Sequence, residues 1–153
     1  MNIDELQTFI VTAKQRTYVG DALPQDPSAP GSHDIVFSQG DWSYLDRYFG
    51  GTNFLGQETV WFRDVPVWSM AYFGVITRPE LIDGQRAGET IVAALSSMYD
   101  EGRFLGGFSF SGEHGTYVDA SEGTVGRFTG REYIEVGGVQ AYELSYFGGL
   151  VFE

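Results

Sequence analysis

Residues 54–76 (FLGQETVWFRDVPVWSMAYFGVI) align without a gap on residues 128–150 (FTGREYIEVGGVQAYELSYFGGL). Seven of the 23 positions are identical: Phe54/Phe128, Gly56/Gly130, Glu58/Glu132, Val65/Val139, Tyr72/Tyr146, Phe73/Phe147 and Gly74/Gly148. Four more are close, Val60/Ile134, Trp68/Tyr142, Met70/Leu144 and Ile76/Leu150. Upstream, Tyr44-Leu45-Asp46 matches Tyr117-Val118-Asp119 after one inserted residue. Antiparallel strands resemble one another, and a Tyr-Phe-Gly string also stands at 48–50, but strand likeness does not produce eleven similarities in one ungapped register. Two copies are too few for a solenoid. The expected object is a single domain, 1–153, with an internal duplication spanning about 2–76 and 83–151.

Each copy follows a helical stretch. Over 2–16, Ile3, Leu6, Phe9, Ile10 and Ala13 recur at helical spacing behind an Asn2/Glu5 capping pair. Over about 83–99, Ala87, Ile91, Ala94, Leu95 and Met98 form the buried side, weakened at its start by Gly84 and Gly88. Gly20–Asp34, with Pro24, Pro27, Pro30 and Gly31, reads as a long loop. Strands are expected at about 41–49, 55–63 and 66–76, and strand signal returns from Phe104 to the C-terminus. The fold class is therefore α+β: two pseudo-symmetric halves, each a helix plus a three-stranded meander, burying their apolar faces against each other with antiparallel sheet. A cleft is expected at their seam.

Strand parity locates the chemistry, because alternate side chains share a face. Glu132 falls with Phe128, Gly130, Ile134 and Val136, and Glu58 with Phe54, Gly56, Val60 and Phe62. A carboxylate on an apolar face is costly unless paired, hydrogen-bonded or protonated. Asp46 shares a face with Trp42, Tyr44 and Tyr48, and Asp119 stands beside Tyr117. On the next strands Trp68, Met70 and Tyr72 share one face, as do Tyr142, Leu144 and Tyr146. Buried polar groups that only hold the fold are one reading of these acids. The other is a concave aromatic site whose carboxylates anchor an aromatic or cationic guest. Its candidate residues are Trp42, Tyr44, Asp46, Glu58, Trp68, Met70, Tyr72, Tyr117, Asp119, Glu132, Tyr142 and Tyr146. Trp42, Trp61 and Trp68 all lie in the first half, which is the half expected to work if only one of the two does. As an enzyme, a hydrolase, isomerase or cyclase, the same cleft would use Glu58 and Glu132 as general acid and base.

Composition closes off other classes. With 21 acidic against 9 basic residues and a net charge of −12, the chain does not suit direct nucleic-acid binding. It has no cysteine, hence neither thiolate chemistry nor a disulfide framework. No phosphate-binding glycine loop occurs, and His33 and His114 stand far apart in expected loops, so neither a cofactor nor a metal is expected. Neither a secretory leader nor a membrane-length apolar run is visible, so no membrane association is expected and the location expected is cytoplasmic.

Tyr44-Leu45-Asp46, Phe54-Leu55-Gly56-Gln57-Glu58, Val67-Trp68-Ser69-Met70-Ala71-Tyr72-Phe73-Gly74 and the opening helix through Thr17-Tyr18-Val19-Gly20 carry a family resemblance. The chain resembles a bacterial and archaeal domain of unknown function, found alone or C-terminal to Xre-type helix-turn-helix regulators. The likeness is specific in the first half and looser in the second. It departs at Ala71, where the pattern W-x-M-N-Y has Asn, a change expected to remove a polar group from the site. The resemblance implies an effector-sensing module, and, with no DNA-binding segment ahead of it here, a partner that is either a second copy or a separate regulator protein. In plan alone it is also similar to GyrI-like sensing domains.

Overall fold

A computed structural model of the chain describes residues 1–19 and 24–152. Helix α1 (Ile3–Val19) is capped by Asn2, whose Oδ1 accepts the Asp4 amide at 2.9 Å. Helix α2 (Gly84–Asp100) is capped by Asp83, which accepts the Arg86 amide at 2.8 Å. Between and after them run β1 (Pro24–Gln25), β2 (His33–Gln39), β3 (Trp42–Gly50), β4 (Phe54–Phe62), β5 (Val65–Ile76), β6 (Phe108–Gly112), β7 (Gly115–Thr124), β8 (Arg127–Val136) and β9 (Val139–Leu150). They form one antiparallel sheet of nine strands in the order β1-β2-β3-β4-β5-β9-β8-β7-β6. The protein is α+β, and its two meanders join edge to edge through β5 and β9.

The meanders are longer than the three strands expected. β2 precedes the first and β6 the second, each hairpinned to its neighbour. β2 escapes a parity reading because Ile35, Val36 and Phe37 form an unbroken apolar run in its middle. Of the loop expected over Gly20–Asp34, residues 20–23 lie outside the described residues. The remainder holds the two-residue β1, where Pro24 sits on the edge strand and its missing N–H costs no ladder bond. His33, expected in a loop, opens β2, while His114 does occupy a turn, between β6 and β7.

Both helices lie on one face of the sheet. α1 rests on β2 and β3, α2 on β6 and β7, and the helices touch each other. Leu6, Phe9, Ile10 and Ala13 of α1 and Ala87, Ala94 and Tyr99 of α2 are buried in one core with the sheet's Tyr44, Val60, Trp68, Tyr117, Phe128 and Ile134. Among the described residues no element covers the other face, which carries exposed Leu55, Phe73 and Phe147 beside polar residues. Because the helices sit over the flanking strands, room remains between them and the central strands.

The hairpin turns show how local sequence sets register. β4 and β5 are joined by Arg63 (φ 51°) and Asp64 (φ 63°), both left-handed, the geometry of a type I′ turn. β8 and β9 are joined by Gly137 (φ 59°) and Gly138 (φ 81°), which reach the same conformation without Cβ strain. Each hairpin also has a bulge, at Val60/Trp61 in one and Ile134/Glu135 in the other.

Candidate functional site

A cavity of about 510 Å³ opens between the helices and the central strands. Its floor is laid down by sheet register. Asp46 on β3 pairs with Glu58 on β4, and Asp119 on β7 with Glu132 on β8, so each acid has another directly across the strand. At the seam Tyr72 on β5 pairs with Tyr146 on β9. The Tyr72 ring runs away from the seam across β4, and its hydroxyl donates to Asp46 Oδ1 at 2.6 Å. The Tyr146 ring runs the other way across β8 and donates to Asp119 Oδ1 at 2.7 Å.

Those rings can cross a strand only where it has no side chain. Tyr72 lies over its register partner Gly56, and Tyr146 over Gly130. A Cβ at either glycine would collide with the phenol above it. The repeated glycines are thus part of the site, a role that their appearance in the repeat signals without explaining.

The two glutamates are accommodated differently. Glu58 receives the ammonium of Lys14, with Nζ 2.6 Å from Oε2 and 2.8 Å from Oε1. Met70 Sδ lies 3.5 Å and the Phe104 ring centroid 5.4 Å from the same Nζ. Glu132 has no ion-pair partner among the described residues and accepts from two phenols, Tyr117 and Tyr142, the latter at 3.0 Å. Tyr44, which occupies Tyr117's place in the first meander, has a buried hydroxyl without a hydrogen-bond partner among the described residues. Lys14 is the cavity-lining residue that a sequence reading misses. Its signal is there, since it continues the Leu6, Ile10 stripe at helical spacing, where a lysine is out of place.

Electrostatics follow from burial. Burial first, and Glu58 second, push the Asp46 carboxyl up to about 7 against the opposing bond from Tyr72. Burial raises Glu132 to about 7 despite its two phenol donors, and raises Asp119 despite Tyr146. Burial and then the acid beneath raise the phenols of Tyr72 and Tyr146, so both remain protonated donors. Asp119 is only 5% exposed, and its Oδ2 has no hydrogen-bond partner among the described residues. Buried polar groups without a partner are uncommon in folded proteins.

Nine of the twelve expected site residues border the cavity: Asp46, Glu58, Met70, Tyr72, Tyr117, Asp119, Glu132, Tyr142 and Tyr146. Three do not. Trp42 stacks on Phe9 at 5.4 Å, Trp68 lies between Phe104 and Phe128 with its Nε1 donating to the Val125 carbonyl at 3.1 Å, and Tyr44 is core. Parity separates inside from outside but not cavity wall from packed core. Ala71 corrects another expectation: it pairs with Gln57 and Phe147 on the sheet's far face, so its side chain is not part of the cavity. His33 stacks on Tyr48 at the cavity margin, and His114 Nε2 lies 2.9 Å from Glu89. Among the described residues no group of three or more His, Cys, Asp and Glu side chains is placed to hold a metal ion. No helix among them is long and apolar enough to cross a membrane.

Fold and cavity together define a class: a small α+β domain with one antiparallel sheet, two helices on one face, and an apolar cavity floored by paired carboxylates and phenols. The chain belongs to the family described as Domain of unknown function (DUF5680), whose profile matches residues 46–151. The chain has no significant match among curated proteins or among solved structures.

Proposed function

We propose that this chain is a small-molecule-binding module, for effector sensing or sequestration, built from two related halves that share one cavity. The carrying observation is the cavity of about 510 Å³, mostly apolar in lining, with four buried carboxylates and one carboxylate oxygen unpartnered among the described residues. Small-molecule sites run from roughly 300 to 1,000 Å³ and combine apolar walls with a few convergent polar groups.

The relation between halves is supported by register. Tyr72 faces Tyr146, Trp68 faces Leu150, and Ile76 faces Tyr142. Each residue therefore opposes the counterpart of the residue its own counterpart opposes, as a two-fold axis through the Tyr72–Tyr146 pair requires. The bulges and the left-handed turns fall at equivalent positions too.

Titration calorimetry against a panel of planar cations and neutral aromatics tests the binding reading. Submillimolar binding that weakens in Glu132→Gln supports it, and no binding above the millimolar range overturns it. One observation favours a second reading, an acid-base enzyme: Asp46 and Glu132 are held near neutrality beside phenol donors. Turnover of a bound compound, lost in Glu132→Gln, would decide for the enzyme.

A further inference from the structure

We infer that the ligand presents an ammonium group, and that its seat is the Asp119–Glu132 pair of the second half. This rests on the small-molecule reading above and assigns the headgroup and its place. The protein holds an intramolecular version of the contact. In the first half the Lys14 ammonium sits on Glu58, both side chains at most 4% exposed, with Met70 sulfur and the Phe104 ring completing its surroundings.

The second half lacks that cation. Counted from their first residues, α1 and α2 match Ile10 with Ile91, Ala13 with Ala94, and Tyr18 with Tyr99. Tyr18 and Tyr99 meet across the helix pair at a ring distance of 6.1 Å, above the seam. One turn before Tyr18 stands Lys14, and one turn before Tyr99 stands Leu95, which borders the cavity. Where the first half supplies one ammonium for its Asp46–Glu58 pair, the second supplies a leucine for Asp119–Glu132.

The two acids of the second half are partnered accordingly. Asp119 Oδ2 is buried without a hydrogen-bond partner among the described residues, and Glu132 is held by phenols alone. The cation nearest Asp119 in effect, Arg103, is engaged elsewhere, with Glu101 Oε2 at 2.8 Å and with the Leu105 and Gly107 carbonyls. A carboxylate pair short of one positive charge, beside apolar walls, selects a guest with an ammonium head and an apolar body.

Phenethylammonium and its neutral analogue 2-phenylethanol, titrated into the whole chain by calorimetry, provide the test. The expected result is at least a tenfold preference for the ammonium. Leu95→Lys should erase that preference by supplying the missing ammonium internally. Glu132→Gln, which adds no bulk, should erase it as well and serves if the lysine variant does not fold. Equal affinity of wild type for both probes, or a preference that survives Glu132→Gln, overturns the ammonium assignment but leaves the cavity a binding site. Failure of wild type to bind either probe or any neutral aromatic overturns the small-molecule reading and this assignment with it.

Discussion

Lys14 Nζ lies 2.6 Å from Glu58 Oε2, and both side chains are shut off from water. A buried pair of this kind is expensive to form and more expensive to break, because removing one partner strands the other charge. Lys14→Met is expected to lower unfolding free energy by about 3–5 kcal/mol. The double variant Lys14→Met/Glu58→Gln should recover most of that loss. Urea unfolding of the single and double variants checks it, and additive losses would show that the two residues do not act as a unit.

Gly56 and Gly130 should tolerate no methyl group. In Gly56→Ala the added carbon meets the Tyr72 phenol, and in Gly130→Ala the Tyr146 phenol. The ring must move, which breaks its bond to Asp46 or Asp119. A cost of about 1–3 kcal/mol is expected from overpacking, read as a lower thermal midpoint. Gly51→Ala, where an added Cβ meets nothing within 4 Å, is the control and should be near neutral.

Stability should fall as pH rises through neutrality. Asp46 and Glu132 each titrate near 7 in the fold, above the range they have in the unfolded chain. A carboxyl raised by folding favours the folded state at low pH, and that advantage is lost as pH climbs through the folded value. Groups facing Glu132 are Tyr117, Tyr142, Asp119 and, at longer range, Lys14. Chemical denaturation midpoints should therefore drop between about pH 5 and pH 8, and Glu132→Gln should flatten the slope. A midpoint constant over that interval would contradict the burial of these acids.

The first hairpin turn stores strain that the second avoids. Asp64 has φ 63° where its counterpart is Gly138. Asp64→Gly is expected to stabilise the protein by up to about 1 kcal/mol through relief of the left-handed penalty. A midpoint shift upward in thermal unfolding checks this, and a fall would mean that chain entropy outweighs strain at the turn.

Much of the site was legible in the order of residues. The likeness of 54–76 to 128–150 marked the β4–β5 and β8–β9 hairpins, and period-two alternation put Asp46, Glu58, Asp119 and Glu132 on apolar faces. Three things escaped it. β2 (His33–Gln39) carries three consecutive apolar residues, Ile35, Val36 and Phe37, so period-two alternation does not reveal it. Trp42 and Trp68 share the inward face but pack away from the cavity, Trp42 half-buried under α1 and Trp68 buried beside Phe104, since parity is blind to where along a strand the helices press. Lys14 was hidden because a helix stripe is read for apolar residues, and its partner lies 44 positions away.

Strand alternation and helical spacing by themselves determined an α+β chain with four acids among aromatics, because those patterns act over two to four neighbouring residues and need no distant contact. Which acid receives a lysine, which receives phenols, and which keeps a bare oxygen was decided only by tertiary structure. Those outcomes depend on where α1 and α2 settle over the sheet, and on rings from β5 and β9 that reach their aspartates across glycines on β4 and β8. Contacts of that span follow from packing in three dimensions, and a linear pattern does not encode them.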